Sequence, residues 1–150
     1  MSNRTLQSPP SSTGPLIAVV DDDVSFLRSV GRLLRSAGYT VETFDSAREF
    51  LASLDSSSPQ CLVLDVHMPG MTGLELQDWL AAQGCRLPII FVTAYDTPQT
   101  QAHAHRAGSF GLLLKPFHKT ALLNAIGEAV GASPRDVKFG TGQSPTAKAS

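Results

Sequence analysis

Four short apolar runs in this chain each stop on a reactive polar side chain. Leu16 to Val20 ends on Asp21, Asp22 and Asp23, Cys61 to Leu64 on Asp65, Ile89 to Val92 on Thr93, and Leu112 to Leu114 on Lys115. Runs of three to five residues that are apolar throughout suit strands covered on both faces, which is the environment of a parallel sheet rather than of a half-solvated antiparallel one. The segments between them have helical spacing. Val24, Leu27, Val30, Leu34 and Ala37 recur three and four apart and are expected to form one buried helix face, with Gly38 as the stop. Tyr39 to Phe44 alternates with polar Thr40, Glu42 and Thr43 and reads as a half-exposed edge strand. Ser46 and Glu49 have capping-box spacing ahead of a short helix through Phe50, Leu51 and Leu54. A third helix carries Leu74, Leu76, Trp79 and Leu80 and closes at Gly84. A fourth, from about Pro98 to Ala107, is polar with only alanines as its apolar face. The last strand covers Phe110 to Leu114, and the last helix uses Leu122, Leu123, Ile126 and Val130.

Five β/α units with right-handed crossovers make an α/β fold, a doubly wound five-stranded parallel sheet flanked by five helices. In such sheets the ligand site lies at the carboxyl ends of the strands, where all four polar endings fall. Taken singly each ending is ordinary: an Asp run caps a helix, a threonine ends a strand, and Lys-Pro makes a turn. Four on one edge are not ordinary. Asp21, Asp22 and Asp65, if they converge, repel one another and need a positive charge, and their hard oxygens suit magnesium. Lys115 is a second counter-charge. A carboxylate so placed can attack phosphorus to form an aspartyl phosphate, with Thr93 donating a hydrogen bond to a phosphoryl oxygen. Asp65, alone at a strand end, is the expected nucleophile; the adjacent Asp21 and Asp22 are better arranged to hold the metal, directly or from behind its ligands.

With 150 residues, 42% hydrophobic and 17% charged, at net charge −1, the chain accommodates one well-buried domain and has no basic surplus for nucleic acid. Residues 1–15 are rich in Pro, Ser and Thr and are expected to be a flexible leader, residues 16–131 the folded domain, and residues 132–150 a flexible tail. No stretch has the length of a signal-peptide core or a membrane span, which points to a cytoplasmic location without membrane contact. Cys61 and Cys85 form no CxxC pair and are expected to be reduced thiols.

These residues carry a family resemblance. VVDDD at 19–23, LVLDVHMPGMTGLEL at 62–76, FVTAYD at 91–96 and AGSFGLLLKPF at 107–117 resemble, in order and spacing, the motifs of the response-regulator receiver domain of two-component signalling, a flavodoxin-like fold. Asp65 follows Asp22 by 43 positions, Thr93 follows Asp65 by 28, and Lys115 follows Thr93 by 22. The resemblance implies that Asp65 accepts a phosphoryl group from a sensor histidine kinase or phosphotransfer protein. It further implies that Asp22, Asp65 and the His67 backbone carbonyl bind Mg2+, that Asp21 assists through water, and that Thr93 and Lys115 sense the phosphoryl group. The Lys115–Pro116 bond is expected to be cis. Such a chain is a phosphoacceptor signalling domain acting on a downstream effector protein, not an enzyme beyond its own phosphorylation and dephosphorylation.

One position departs from the pattern. Leu112 stands where the family usually has Tyr or Phe as an inward-turning switch, so Phe110 or Tyr95 is the candidate substitute and the fourth helix the expected route of output. His67 and Tyr95, each two residues beyond a site residue, are expected to flank the site and slow loss of the phosphoryl group. His103 and His105, two apart on a helix, point different ways and are expected at the surface. Phe26 and Leu33, seven apart, are either core or a docking patch for a kinase or phosphotransfer helix. Two other readings are a receiver portion of a longer DNA-binding regulator and a small flavin- or phosphate-binding enzyme, the latter opposed by three aspartates where a phosphate loop belongs.

Overall fold

The structure is a computed structural model that describes residues 14–95, 97–106 and 109–131. Apart from Gly14 and Pro15, the expected leader and tail lie outside the described residues. The Pro15 carbonyl accepts a hydrogen bond from Thr40 N–H at 3.0 Å, so pairing with the neighbouring strand starts there.

In chain order the elements are β1 (Leu16–Val20), α1 (Val24–Ser36), β2 (Thr40–Phe44), α2 (Ala47–Ser53), β3 (Cys61–Asp65), α3 (Gly73–Ala82), β4 (Ile89–Thr93), α4 (Pro98–Arg106), β5 (Gly111–Leu114) and α5 (Lys119–Gly131). The strands form one parallel sheet in the order β2-β1-β3-β4-β5, the flavodoxin-like arrangement. Period-two alternation sends Ile17, Val19, Cys61, Val63, Ile90 and Val92 into a core beneath α1 and α5. Their neighbours Ala18, Val20, Leu62, Leu64, Ile89 and Phe91 enter a second core with residues of α2, α3 and α4. The apolar runs of β1, β3 and β4 are thus covered on both faces. Alternating β2 is one edge strand, and β5 is the other, so its run, expected to be covered, is only partly buried with Leu114 50% exposed.

Helix ends follow local chemistry. The Asp23 carboxylate accepts from Phe26 N–H at 3.2 Å and caps α1, while Gly38, at φ +100°, ends it in the left-handed region. Ser46 caps α2 by accepting from Glu49 N–H. Thr72 and Glu75 form a fully reciprocal capping box on α3.

Three expectations shift. Val24, placed on the buried face of α1, is 54% exposed because it opens the helix where α1 overhangs the carboxyl edge of the sheet; Ala37, also placed there, is the exposed C-cap. In α3 the buried side is Gly73, Leu76, Gln77 and Leu80, leaving Trp79 to one side of the stripe and exposed. β5 begins at Gly111, so Phe110 stands on the rim ahead of the strand, although its N–H still donates to the Ile89 carbonyl at 2.8 Å.

Candidate functional site

β1 has β2 on one side and β3 on the other, so the connections leaving β1 and β3 diverge to opposite faces and open a crevice between their carboxyl ends. Asp21 and Asp22 leave β1 at one wall of that crevice, and Asp65 ends β3 at the other. Carboxylate oxygens of the three lie within 4.8 Å of one another. Asp21 is fully buried, Asp65 is buried, and Asp22 is exposed.

Lys115, delivered by the end of β5, reaches across to them. Its Nζ lies 2.6 Å from Asp21 Oδ2 and 3.8 Å from Asp65 Oδ1. The other Asp21 oxygen accepts from Asp23 N–H at 2.9 Å, so both oxygens of Asp21 are already engaged by the protein. Asp22 and Asp65 therefore offer the freer oxygens for a cation. The Asp65 carboxyl is pushed up to about 6, first by burial and next by the Asp21 charge, against the opposing pull of Lys115. One ammonium does not balance three carboxylates. A hard divalent cation fits this donor set: oxygen ligands only, a surplus of negative charge, and one exposed side through which waters can complete its shell.

Thr93 is fully buried at the end of β4, and its hydroxyl donates to the Tyr95 carbonyl at 3.0 Å while accepting from Tyr95 N–H at 3.1 Å. In this state the hydroxyl folds the loop after β4 upon itself. His67 and Tyr95 meet edge to face, with ring centroids 5.8 Å apart, so the loops after β3 and β4 touch through these two side chains. The Lys115–Pro116 peptide is cis.

Phe26 belongs to this constellation, a role the sequence reading did not give it. Lys115 Nζ lies 4.3 Å from the centroid of the Phe26 ring, which packs edge to face on Phe117. The only sequence signal was a half-apolar position on α1, and its meeting with Lys115 arises through tertiary packing. Gly73 was missed as well: a Cβ there would run into the Asp65 carbonyl oxygen, so α3 starts against the strand end that carries Asp65 only because residue 73 has no side chain.

Other candidates stand further off. Phe26 and Leu33 are partly buried against the core and also line a groove of about 480 Å³ shared with Pro116 and Phe117. Leu112 packs into the second core, whereas Tyr95 is 69% exposed. His105 is at the surface, and His103 Nε2 lies 3.0 Å from Asp78 Oδ1, linking α4 to α3. Burial pushes the Cys61 thiol up to about 12, which leaves it a core residue without nucleophilic character. Among the described residues no helix is long and apolar enough to cross a membrane.

Comparison with known proteins agrees with this geometry. The family model described as the response regulator receiver domain matches residues 17–127. Nodulation protein W of Bradyrhizobium diazoefficiens is 43% identical over 129 residues, covering 85% of this chain and 55% of that protein. Transcriptional regulatory protein TdiR of Thauera aromatica is 39% identical over 125 residues, covering 83% of this chain and 55% of that protein. The chain thus spans about half the length of the curated relatives it matches. A response regulator receiver protein from Burkholderia phymatum, of known crystal structure, is 41% identical with a TM-score of 0.70, over 80% of this chain and 98% of that one. The chain belongs to the response regulator receiver domain family, a family of signalling domains of two-component systems rather than of enzymes in the usual sense.

Proposed function

We propose that Asp65 is the phosphoacceptor and that the chain takes its phosphoryl group from a phosphohistidine of a sensor kinase or phosphotransfer protein. The observation that carries this reading is the convergence of three carboxylates within 4.8 Å on one lysine, 2.6 Å from Asp21 and 3.8 Å from Asp65. In the transfer an Asp65 oxygen bonds to phosphorus as the P–N bond of the phosphohistidine breaks, and the leaving imidazole takes a proton from water. Lys115 stands beside the accepting oxygen to meet the incoming charge. Asp21, held by Lys115 and by Asp23 N–H, fixes that ammonium in place.

Asp22, Asp65 and the His67 backbone carbonyl would hold Mg2+, with Asp21 in contact through water; when bound, the ion neutralises charge on the phosphoryl oxygens. Thr93 is the residue that changes partner. To donate to a phosphoryl oxygen its hydroxyl must leave the Tyr95 carbonyl, and that exchange loosens the loop leading into α4. Output then runs through this loop and α4 to a downstream effector protein, without an aromatic switch at residue 112. The paired rings of His67 and Tyr95, two residues beyond Asp65 and Thr93, slow the water that hydrolyses the acyl phosphate. The kinase or phosphotransfer helix docks in the groove lined by Phe26, Leu33 and Phe117, next to Lys115. Residues 16–131 form the working unit between a leader and a tail, and the cytoplasm is the compartment where such a donor is met. A flavin- or phosphate-binding enzyme is not favoured, because the crevice is lined by carboxylates that repel such ligands.

Label transfer from a phosphorylated sensor kinase tests this reading. Label should pass to the chain when Mg2+ is present and not to Asp65→Asn; label retained by Asp65→Asn would overturn the assignment.

A further inference from the structure

α1 carries three arginines and no acidic residue. Arg28, Arg32 and Arg35 are four and three positions apart, so at about 100° per residue they form one stripe, and Val24 extends it by a turn. Phe26 and Leu33, which line the groove beside Lys115, lie on the other flank of the helix. The stripe faces outward over the edge strand β2, and a second groove of about 330 Å³ runs along it with Leu27 and Thr43 in its walls.

Among the described residues no carboxylate forms an ion pair with this stripe. Among the described residues the ion pairs are Lys115 with Asp21 and Asp65, and His103 with Asp78, so all three guanidiniums lack a carboxylate partner. Glu42, the acid of β2, is bonded to the Ser57 hydroxyl at 2.8 Å and alternates to the opposite face from Thr43. Arg35 has a seat of its own: a Cβ on Gly31 would come within 3.0 Å of its Nη1, so the absent side chain in mid-helix lets the guanidinium lie back along α1.

We propose that this flank of α1 is a docking surface for a protein partner that presents a helix with carboxylates at successive spacings of four and three. The backbone positions of the three arginines span about 10 Å along the axis, the rise of the same spacing on a second helix. Arginine's fork matches a carboxylate in two parallel hydrogen bonds. Val24, 54% exposed at the end of the stripe, asks for an apolar contact beside the charges. Asp22 and Asp23, just beyond it, repel a polyphosphate that continued along the same line, which favours an acidic protein helix over nucleic acid. The surface is separate from the acidic crevice and does not depend on its chemistry.

The test is amide-shift titration of the isotope-labelled full chain with a synthetic helical peptide bearing Glu at three positions spaced four and three apart. A scrambled peptide of the same composition and a mixed-sequence DNA duplex are titrated in parallel. Amides of residues 24–36 and Thr43 should move, and the patterned peptide should bind about tenfold more tightly than the scrambled one, the gain shrinking at high salt. Arg28→Glu with Arg32→Glu should remove the binding, a peptide with Lys in place of Glu should restore it, and Asp65→Asn should bind as the parent does. The milder Arg32→Gln should lose affinity about threefold while taking up a phosphoryl group normally. Equal binding of patterned and scrambled peptides, shifts that avoid α1, undiminished binding by the reversed variant, or tighter binding of the duplex would each overturn the proposal.

Discussion

Lys115 sits between the Asp21 and Asp65 carboxylates and the face of Phe26, and each contact limits where its ammonium can be. Removing the aromatic face leaves the charges in place but frees the lysine. With a cation–π contact of about 0.5–2 kcal/mol at stake, Phe26→Ala is expected to slow phosphorylation by a small donor several-fold, and Phe26→Tyr to keep it near the parent rate; stopped-flow fluorescence or quench-flow labelling measures both. Asp65 has a second consequence. Its carboxyl is raised from 3.8 to about 6, so between those values the folded chain binds more protons than the unfolded chain. The contribution of this group to stability is therefore greatest at low pH and is lost as pH rises through about 6. Asp65→Asn should then make the metal-free protein more stable at pH 7 to 8, with the gain disappearing near pH 4, as read from denaturant midpoints across that range. A variant stabilised equally at both ends would show that charge repulsion at Asp65 is not the cause.

Among the elements, α3 and α4 respond to different forces. α3 starts against the Asp65 carbonyl because residue 73 is glycine, and Gly73→Ala forces backbone apart where it carries the acceptor. A loss on the order of 2 kcal/mol or more in unfolding free energy is expected, with a parallel loss of phosphorylation. α4 is held more lightly. Among its described side chains Thr100 and Ala104 are buried, and a side-chain tie to α3 runs from His103 to Asp78, the latter largely exposed. His103→Ala should change stability by less than about 1 kcal/mol. If, as proposed, the Thr93 hydroxyl leaves the Tyr95 carbonyl for a phosphoryl oxygen, amide exchange in α4 should rise when a beryllofluoride mimic is added. Unchanged exchange there would remove this helix from the output route.

For the molecule as a whole, the crevice at the β1/β3 divergence is a site of surplus negative charge, and magnesium should raise the melting temperature more at pH 7.5 than at pH 5, where protons compete for the raised Asp65 carboxyl. Much of this was legible beforehand. Runs such as Cys61 to Leu64 are apolar on both faces, and the alternation in Thr40 to Phe44 marks an edge; together they dictate a covered parallel sheet, and the sheet dictates that its strand-end residues meet. The TGLE stretch at Thr72 to Glu75 carries a capping-box signal in its spacing alone. Contacts that depend on how a helix rolls over the sheet had no linear signature: Phe26 under Lys115, Trp79 turned outward, and His67 against Tyr95 as an actual pair rather than two flanking residues. Neither could spacing reveal that the Thr93 hydroxyl is engaged with its own loop in this state. The most direct measurement of the central claim is the intact mass of the full chain after exposure to a small phosphoryl donor. One hydroxylamine-labile phosphoryl group should appear on the parent with magnesium, and none on Asp65→Asn or without the metal. A parent that stays unmodified, or an adduct that persists on Asp65→Asn, would contradict it.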